Sequence, residues 1–137
     1  MALVPELYCS DFSRSVEFYC SVLGFRIVYA RKEENFAFLD REGAQLMLEQ
    51  PTGRTWLTGP LEQPYGRGVN FEIEVTDALA LHAGCTAAGA STFLSPEEKW
   101  YRRETVLLGV RQFIVQDPDG YLLRFSQPLG IKSAPKS

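Results

Sequence analysis

The stretch "QFIVQDPDGYLLRF", Gln112–Phe125, decides the fold of this chain of 137 residues. It consists of two segments rich in aliphatic and aromatic residues, with Asp117-Pro118-Asp119-Gly120 between them. Aspartate, proline and glycine are typical of turns, whereas the flanking segments have the composition of strands. The stretch therefore predicts a β-hairpin whose second strand carries Arg124.

The whole chain predicts two modules with the same order of elements. Each module has one strand, then one helix, then three strands, and Asp11 and Asp77 stand where a helix N-cap is expected. The first helix ends at Gly24, since glycine is typical of helix ends. The predicted segments, in order, are LVPELYCS, the helix FSRSVEFYCSVLGF, FRIVYAR, NFAFLDR, AQLMLEQ, VNFEIEV, the helix from Asp77 to about Gly89, STFLS, TVLLGVRQFIVQD and YLLRFSQ.

This repetition predicts an α+β fold that arose by internal duplication. We expect a single domain over residues 1–137, with a first β-α-β-β-β module over 3–50 and a second over 68–127. Residues 51–67 are rich in proline and glycine and are expected to form a connecting loop, and residues 128–137 are expected to form a frayed polar tail.

Composition limits the classes of function. The chain is 45% hydrophobic, enough for a buried core, and its net charge of −3 provides no basic patch for nucleic acid. It lacks an apolar run of the roughly 20 residues that a membrane-spanning helix needs, and its start does not resemble a signal peptide. Cys9, Cys20 and Cys85 show no disulfide or zinc spacing, and His82, the only histidine, is expected on a solvated helix flank. These features predict a cytoplasmic protein.

Strand alternation predicts which side chains point away from the helices. Successive residues of a strand point to opposite faces of the sheet, and the apolar set must cover the helix. We call the opposite face of each sheet its far face. The predicted far-face residues are Val4, Glu6, Tyr8, Gln45, Met47 and Glu49 in the first module, and Asn70, Glu72, Glu74, Leu122, Arg124 and Ser126 in the second.

The paired modules over residues 3–127 resemble the vicinal oxygen chelate superfamily, which includes glyoxalase I, extradiol dioxygenases and the bleomycin-resistance proteins. The resemblance is carried by "YCSDFSRSVEFYCSVLGF" and "RQFIVQDPDGYLLRFSQ", and it is closest to the bleomycin-resistance branch. It implies that each module curls its mixed sheet into a half-cup, that two modules close a pocket, and that the protein is a homodimer. Whether the modules pair within one chain or between two chains stays open.

The superfamily also implies where a metal would bind. Its enzymes place one ligand on the first and one on the last strand of each module, and the matching positions are Val4, Met47, Asn70 and Arg124. Divalent metals need lone-pair donors, but valine has none and arginine brings a positive charge. We therefore expect neither metal nor cofactor. A register error of two residues would substitute better ligands, namely Glu6, Glu49 or Glu72.

The expected pocket combines aromatic with acidic side chains. Trp56 and Tyr65 fall in the connecting loop, and Trp100 and Tyr101 in the loop-like segment "PEEKWYRRE". Aromatic rings over a cup can stack on a planar ligand, and far-face carboxylates favour a cation. The predicted ligand-binding residues are Glu6, Tyr8, Met47, Glu49, Trp56, Asn70, Glu72, Trp100, Tyr101 and Arg124, and no catalytic residue is predicted.

Two hypotheses for the function follow. The first is a metal-free homodimer that binds and sequesters a bulky, partly aromatic, cationic small molecule, as antibiotic-binding proteins of the bleomycin-resistance branch do. The second is a metal-dependent glyoxalase-like lyase or a dioxygenase. The chain differs from the bleomycin-resistance branch around Gly109, where an aromatic neighbour is common, so the identity of the ligand stays open.

Overall fold

The computed structural model describes residues 2–135, which divide into two units. The first unit runs to Arg67 and includes Asp117–Tyr121, and the second comprises Gly68–Gln116 and the chain from Leu122 onward. Each unit contains one mixed four-stranded sheet and one α-helix. Within the described residues, no helix is long and apolar enough to cross a membrane.

The first unit has the predicted β-α-β-β-β order. Its strands lie in the order β1-β4-β3-β2, with β1 parallel to β4 and the other pairs antiparallel. A 3-10 turn, Lys32–Glu34, connects β2 to β3. The elements are β1 (Glu6–Tyr8), α1 (Phe12–Glu17), β2 (Arg26–Arg31), β3 (Phe36–Arg41) and β4 (Ala44–Glu49).

The predicted signals for both ends of the first helix are confirmed. The Asp11 carboxylate accepts a hydrogen bond from the backbone N–H of Arg14, which satisfies a donor that the helix leaves free at its start. After α1 the chain continues as a π-helical turn, Phe18–Val22, and Gly24 then adopts a φ of 81°. Glycine reaches this left-handed conformation without a steric penalty, so the helix ends there.

The second unit repeats the order and the sheet topology of the first. Its strands lie in the order β5-β8-β7-β6, with β5 parallel to β8. Asp77 caps the second helix by accepting from the backbone N–H of Ala80. The elements are β5 (Asn70–Glu74), α2 (Ala78–Ala87), β6 (Ser91–Arg103), β7 (Val106–Gln116) and β8 (Leu122–Ser133). This matching topology supports the predicted internal duplication.

Two of the predicted segments in the second unit are wrong. The segment around Trp100 and Tyr101 is not a loop, because β6 continues through it. Likewise, β8 pairs with β7 as far as Ser133, so the tail predicted from Pro128 is a strand over most of its length. The physical reason is that Pro96 in β6 and Pro128 in β8 lie at or next to a bulge, where the register shifts and a proline does not interrupt the strand.

Strand alternation predicted the core of each sheet correctly. Leu7, Leu46 and Leu48 are buried in the first unit, and Ile73, Leu123 and Phe125 in the second. His82 is only partly solvated, since its ring packs edge-on against Phe113 with 4.9 Å between centroids.

The predicted turn between β7 and β8, Asp117-Pro118-Asp119-Gly120, is present, and its two aspartates are buried. Asp119 accepts hydrogen bonds from the backbone N–H of Ser10, at 2.9 Å, and from Nε2 of Gln63, at 2.8 Å. Asp117 accepts from the hydroxyl of Tyr19, at 2.8 Å. Burial raises the pKa of Asp117, although the hydrogen bonds from the hydroxyl of Tyr19 and from the backbone N–H groups of Asp119 and Tyr121 oppose the shift. The turn thus ties three separate segments of the first unit together.

Candidate ligand-binding site

The far face of the first sheet brings together the predicted residues of that module. Strand pairing aligns Glu6 with Met47 and Tyr8 with Glu49, so these four side chains share one face. Tyr8 lies on this face as predicted, but it is only 7% exposed, and its hydroxyl accepts from the backbone N–H of Trp56 at 3.0 Å. Tyr8 is therefore a support beneath the connecting loop, while the carboxylates border the accessible surface.

Three further aromatic side chains lie on the same far face, and sequence reasoning missed them. The register continues from Met47 to Phe38 and from Glu49 to Phe36. Tyr29 stacks on Phe38 with 5.3 Å between ring centroids, and the guanidinium of Arg31 lies 4.0 Å from the centroid of Phe36. The segment "NFAFLDR" is apolar on both faces, so alternation alone gave no reason to assign either set of side chains to the far face.

The carboxyl of Glu6 is electrostatically unusual on this face. Partial burial raises its pKa, and the neighbouring Glu49 raises it further, while Arg31 opposes the shift. A cation placed between the two carboxylates would relieve their repulsion. The first far face can therefore offer negative charge beside stacked aromatic rings.

The connecting loop contains a cleft of about 460 Å³, lined by residues between Trp56 and Arg67. Trp56 is 70% exposed, and the guanidinium of Arg54 lies 4.9 Å from its ring centroid. The opposite end of the loop is held by Asp119, whose carbonyl accepts from the backbone N–H of Tyr65 at 2.7 Å. The loop is thus anchored at both ends with an aromatic ring displayed between them.

The far face of the second sheet carries Asn70, Glu72 and Arg124, and the arginine engages both of the others. Its Nε donates to Oδ1 of Asn70 at 3.1 Å, and its Nη2 lies 2.9 Å from Oε2 of Glu72. The pairing of β5 with β8 places Glu72 directly beside Arg124. The negative charge predicted at Glu72 is therefore offset by an ion pair.

Trp100 and Tyr101 lie on opposite faces of β6, so they cannot line one side of this sheet. Trp100 is paired with Gly109, and the ammonium of Lys132 lies 4.1 Å from its ring centroid. Its indole nitrogen donates to Glu98 at 3.0 Å. Tyr101 points to the far face instead. Of the two predicted aromatic residues, only Tyr101 is placed to meet a ligand together with Arg124.

A buried amide, which sequence reasoning also missed, organises part of the second far face. Gln112 is 3% exposed, and its Nε2 donates to Oε1 of Glu97 at 2.9 Å and to the hydroxyl of Tyr101 at 2.7 Å. Gln112 lies in β7, in a segment where polar and apolar residues alternate. Alternating polarity can indicate the face on which a residue lies, but it cannot indicate burial.

The residues at the four metal positions that the resemblance implies do not fit a metal. In the first unit, Val4 lies before β1 and its side chain has no donor atom, and Met47 provides only a neutral thioether. In the second sheet, the guanidinium of Arg124 is itself a cation and already engages the oxygens of Asn70 and Glu72. Among residues 2–135, no group of three or more histidine, cysteine or acidic side chains is arranged to hold a metal ion.

Comparison with known proteins places this fold in a family. The model of the glyoxalase/bleomycin resistance protein/dioxygenase superfamily matches residues 3–125. The chain therefore belongs to this superfamily, and the resemblance seen in the sequence is confirmed.

Individual proteins are similar to this chain in sequence or in fold. A bleomycin resistance protein from Geobacillus stearothermophilus is 26% identical, with 92% of this chain and 96% of that protein covered. A superfamily member from Vibrio splendidus is 40% identical over 90% of this chain and 95% of its own, with a TM-score of 0.43, so that likeness is one of sequence. A virulence protein from Salmonella typhimurium is 23% identical, covers 93% and 95% of the two chains, and shares the fold with a TM-score of 0.69.

Proposed function

We propose that this protein is a bleomycin-resistance-like binding protein. It binds and sequesters a bulky, partly aromatic, cationic small molecule, such as an antibiotic, without a metal and without catalysis, in a pocket at a homodimer interface. The observation that carries this proposal is Arg124, whose guanidinium takes the place of the last metal ligand and engages Asn70 and Glu72. A cation at this position disfavours metal chemistry, and the far faces are left to bind a ligand.

The chemistry of the first far face supports the cationic and aromatic character of the ligand. Glu6 and Glu49 provide negative charge, and Tyr29 and Phe38 form a stacked aromatic surface on the same face. Aromatic faces attract cations, and stacked rings add about 0.5–1.5 kcal/mol beyond the area that they bury. A planar cation satisfies both features at once.

A titration with bleomycin and a panel of planar cationic compounds tests the proposal. The chain contains two tryptophans, so the Trp100→Phe variant leaves Trp56 as the only indole reporter. We expect at least one compound to quench Trp56 fluorescence and to raise the melting temperature. Binding should weaken with added salt and in the Glu6→Gln variant, because screening and neutralisation both reduce the attraction.

The matched control is Glu33→Gln, which removes an exposed carboxylate from the 3-10 turn. This variant should bind like the unaltered protein. A panel that changes neither the fluorescence nor the melting temperature would contradict the proposed function.

A further inference from the structure

The buried amide of Gln112 has a fixed orientation. Both hydrogens of its Nε2 are used, because this nitrogen donates to the carboxylate of Glu97 and to the hydroxyl oxygen of Tyr101. The reverse orientation would place the amide oxygen against the carboxylate of Glu97, where two acceptors would repel. Oε1 of Gln112 is consequently buried, and no hydrogen-bond donor reaches it within residues 2–135.

Gln112 is therefore a costly residue for the stability of the fold. A buried acceptor without a partner lowers the stability of the fold, so an apolar side chain of similar size would suit this position better. In return, Gln112 fixes the positions of two exposed side chains of β6, Glu97 and Tyr101, relative to each other. Residues that a fold supports at a cost are often functional.

The two groups held by Gln112 offer complementary hydrogen bonds to a ligand. The hydroxyl oxygen of Tyr101 accepts from Gln112, so its own proton is free to be donated. The side chain of Tyr101 is 42% exposed. Glu97 is also exposed, and its Oε2 makes no hydrogen bond within the described part of the chain. One fixed donor thus stands beside one fixed acceptor.

We propose that Tyr101 and Glu97, positioned by Gln112, form a subsite for a carboxamide group of the ligand. The carbonyl oxygen of the amide accepts from the hydroxyl of Tyr101, and its N–H donates to the carboxylate of Glu97. A carboxylate in this place would be repelled by Glu97, and a protonated amine, which has no lone pair, would leave the proton of Tyr101 without an acceptor. This inference rests on the proposed function and adds a second recognition element to it.

Binding of small amides, followed by NMR, tests the subsite directly. Benzamide supplies both the acceptor and the donor, N,N-dimethylbenzamide lacks the donor, and benzoate lacks the donor and adds a negative charge. At millimolar concentrations we expect benzamide to shift the backbone amide signals around Tyr101 and Gln112. Its dissociation constant should be about tenfold lower than that of either analogue, since one hydrogen bond to a charged group accounts for about that factor.

Variants separate positioning by Gln112 from a purely structural role. Gln112→Met keeps the volume and retains both Tyr101 and Glu97, but it removes the amide that holds them in position. It should therefore weaken benzamide binding about tenfold, while the melting temperature stays the same or rises. Tyr101→Phe removes the hydroxyl from an exposed side chain and should weaken benzamide binding by a similar factor. Glu98→Gln is the matched control, because Glu98 pairs with Trp100 and Arg111 on the opposite face of the strand.

Three results would overturn the subsite: no benzamide shifts around β6 and β7, equal affinity for benzamide and its dimethyl analogue, or unchanged affinity in Gln112→Met. These failures are distinct from a failure of the proposed function. If the planar cations bind and benzamide does not, only the subsite is lost. If benzamide binds and no planar cation does, the subsite is supported and the proposal of a cationic ligand is refuted.

Discussion

Asp119 connects the turn between β7 and β8 to two other segments of the first unit. Its fully buried carboxylate accepts from Ser10 and from Gln63, which belong to separate segments of the first unit. Asp119→Ala would leave these donors without a partner, at about 1–3 kcal/mol for each one that stays buried. We expect a loss of about 3 kcal/mol in the free energy of unfolding, measured by urea denaturation.

Asp119→Asn provides the comparison for this prediction, since an asparagine keeps one acceptor oxygen in the same shape. It should lose less stability than the alanine variant. A loss below about 0.5 kcal/mol for Asp119→Ala, the range of ordinary surface substitutions, would show that the carboxylate is dispensable.

Glu6 should make stability depend on pH in a defined direction. Its pKa in the folded state is raised above the ordinary value of 4.5 by burial and by Glu49. A raised pKa means that ionised Glu6 destabilises the fold at neutral pH, and that this penalty disappears as the pH falls and the group is protonated. Glu6→Gln should therefore raise the melting temperature at pH 7. The gain in the free energy of unfolding should be less than about 1 kcal/mol, because the group is partly solvated.

The gain from Glu6→Gln should vanish below about pH 4.5, where the native carboxyl is neutral as well. Glu33→Gln, at an exposed position, should show no such trend. A gain that persisted at low pH would mean that the amide acts through packing and not through charge. The same variant should weaken binding of a cation, so stability and affinity are expected to change in opposite directions.

Single residues could be predicted from the sequence where polar and apolar side chains alternate. This pattern assigned Glu6, Met47 and Glu49 to one face, and the register of β1 and β4 confirms it. It could not assign Phe36 or Phe38, because both faces of β3 are buried. Burial of a polar residue depends on neighbours that are distant in sequence, which is why Gln112 was missed.

Among the elements, the hairpin of β6 and β7 depends on one close approach. A Cβ atom at Gly109 would lie 2.5 Å from the ring of Trp100, well inside van der Waals contact. Gly109→Ala must therefore displace the indole, and we expect it to cost about 1–3 kcal/mol in stability, as overpacking does. Thermal unfolding of the variant measures this loss.

Gly84→Ala is the matched control for the hairpin variant. Gly84 lies inside α2, where an added Cβ meets no atom within 4 Å. Alanine is favoured over glycine in a helix by up to about 1 kcal/mol, so this variant should be more stable than the native protein. Equal effects of the two substitutions would argue against the contact between Trp100 and Gly109.

The length of β6 and β8 shows what the sequence could not reveal about elements. A proline normally interrupts a strand, yet Pro96 lies within β6 and Pro128 within β8. However, β6 is an edge strand, and β8 beyond Ser126 pairs only with β7. At such positions the missing N–H of a proline costs no ladder hydrogen bond, so the strands continue. Edge positions follow from sheet order, which local sequence does not contain.

For the whole molecule, the repeated order of elements was predictable because each module carries the same sequence of strand and helix signals. Function was less predictable from the sequence, since one fold supports many chemistries.

The residues at the four implied metal positions lead to a prediction about metal binding. Added Zn²⁺, Ni²⁺ or Mn²⁺ should show no stoichiometric binding by calorimetry and no turnover of the adduct of methylglyoxal with glutathione. A tight one-to-one site that is lost in Glu72→Ala would refute this.

Assembly is the other property of the whole molecule that calls for a test, and we expect a homodimer. The edge strand β2 exposes Ile27, Val28 and Tyr29, three consecutive large apolar side chains. Exposed apolar surface on an edge strand favours association, so a second chain would gain by covering it. Light scattering at micromolar concentration should give about twice the 15.4 kDa mass of one chain.

Val28→Lys tests whether this surface contributes to the dimer. Val28 lies at the irregularity in the pairing of β2 with β3, so the substitution should leave the sheet intact. A buried lysine at an interface is costly, and we expect the dimer to dissociate at concentrations at least tenfold higher than before. Leu79→Lys alters a similarly exposed apolar residue on α2 and should leave the mass unchanged. A stable monomer of the unaltered protein would contradict the dimer, and equal effects of the two lysines would place the interface elsewhere.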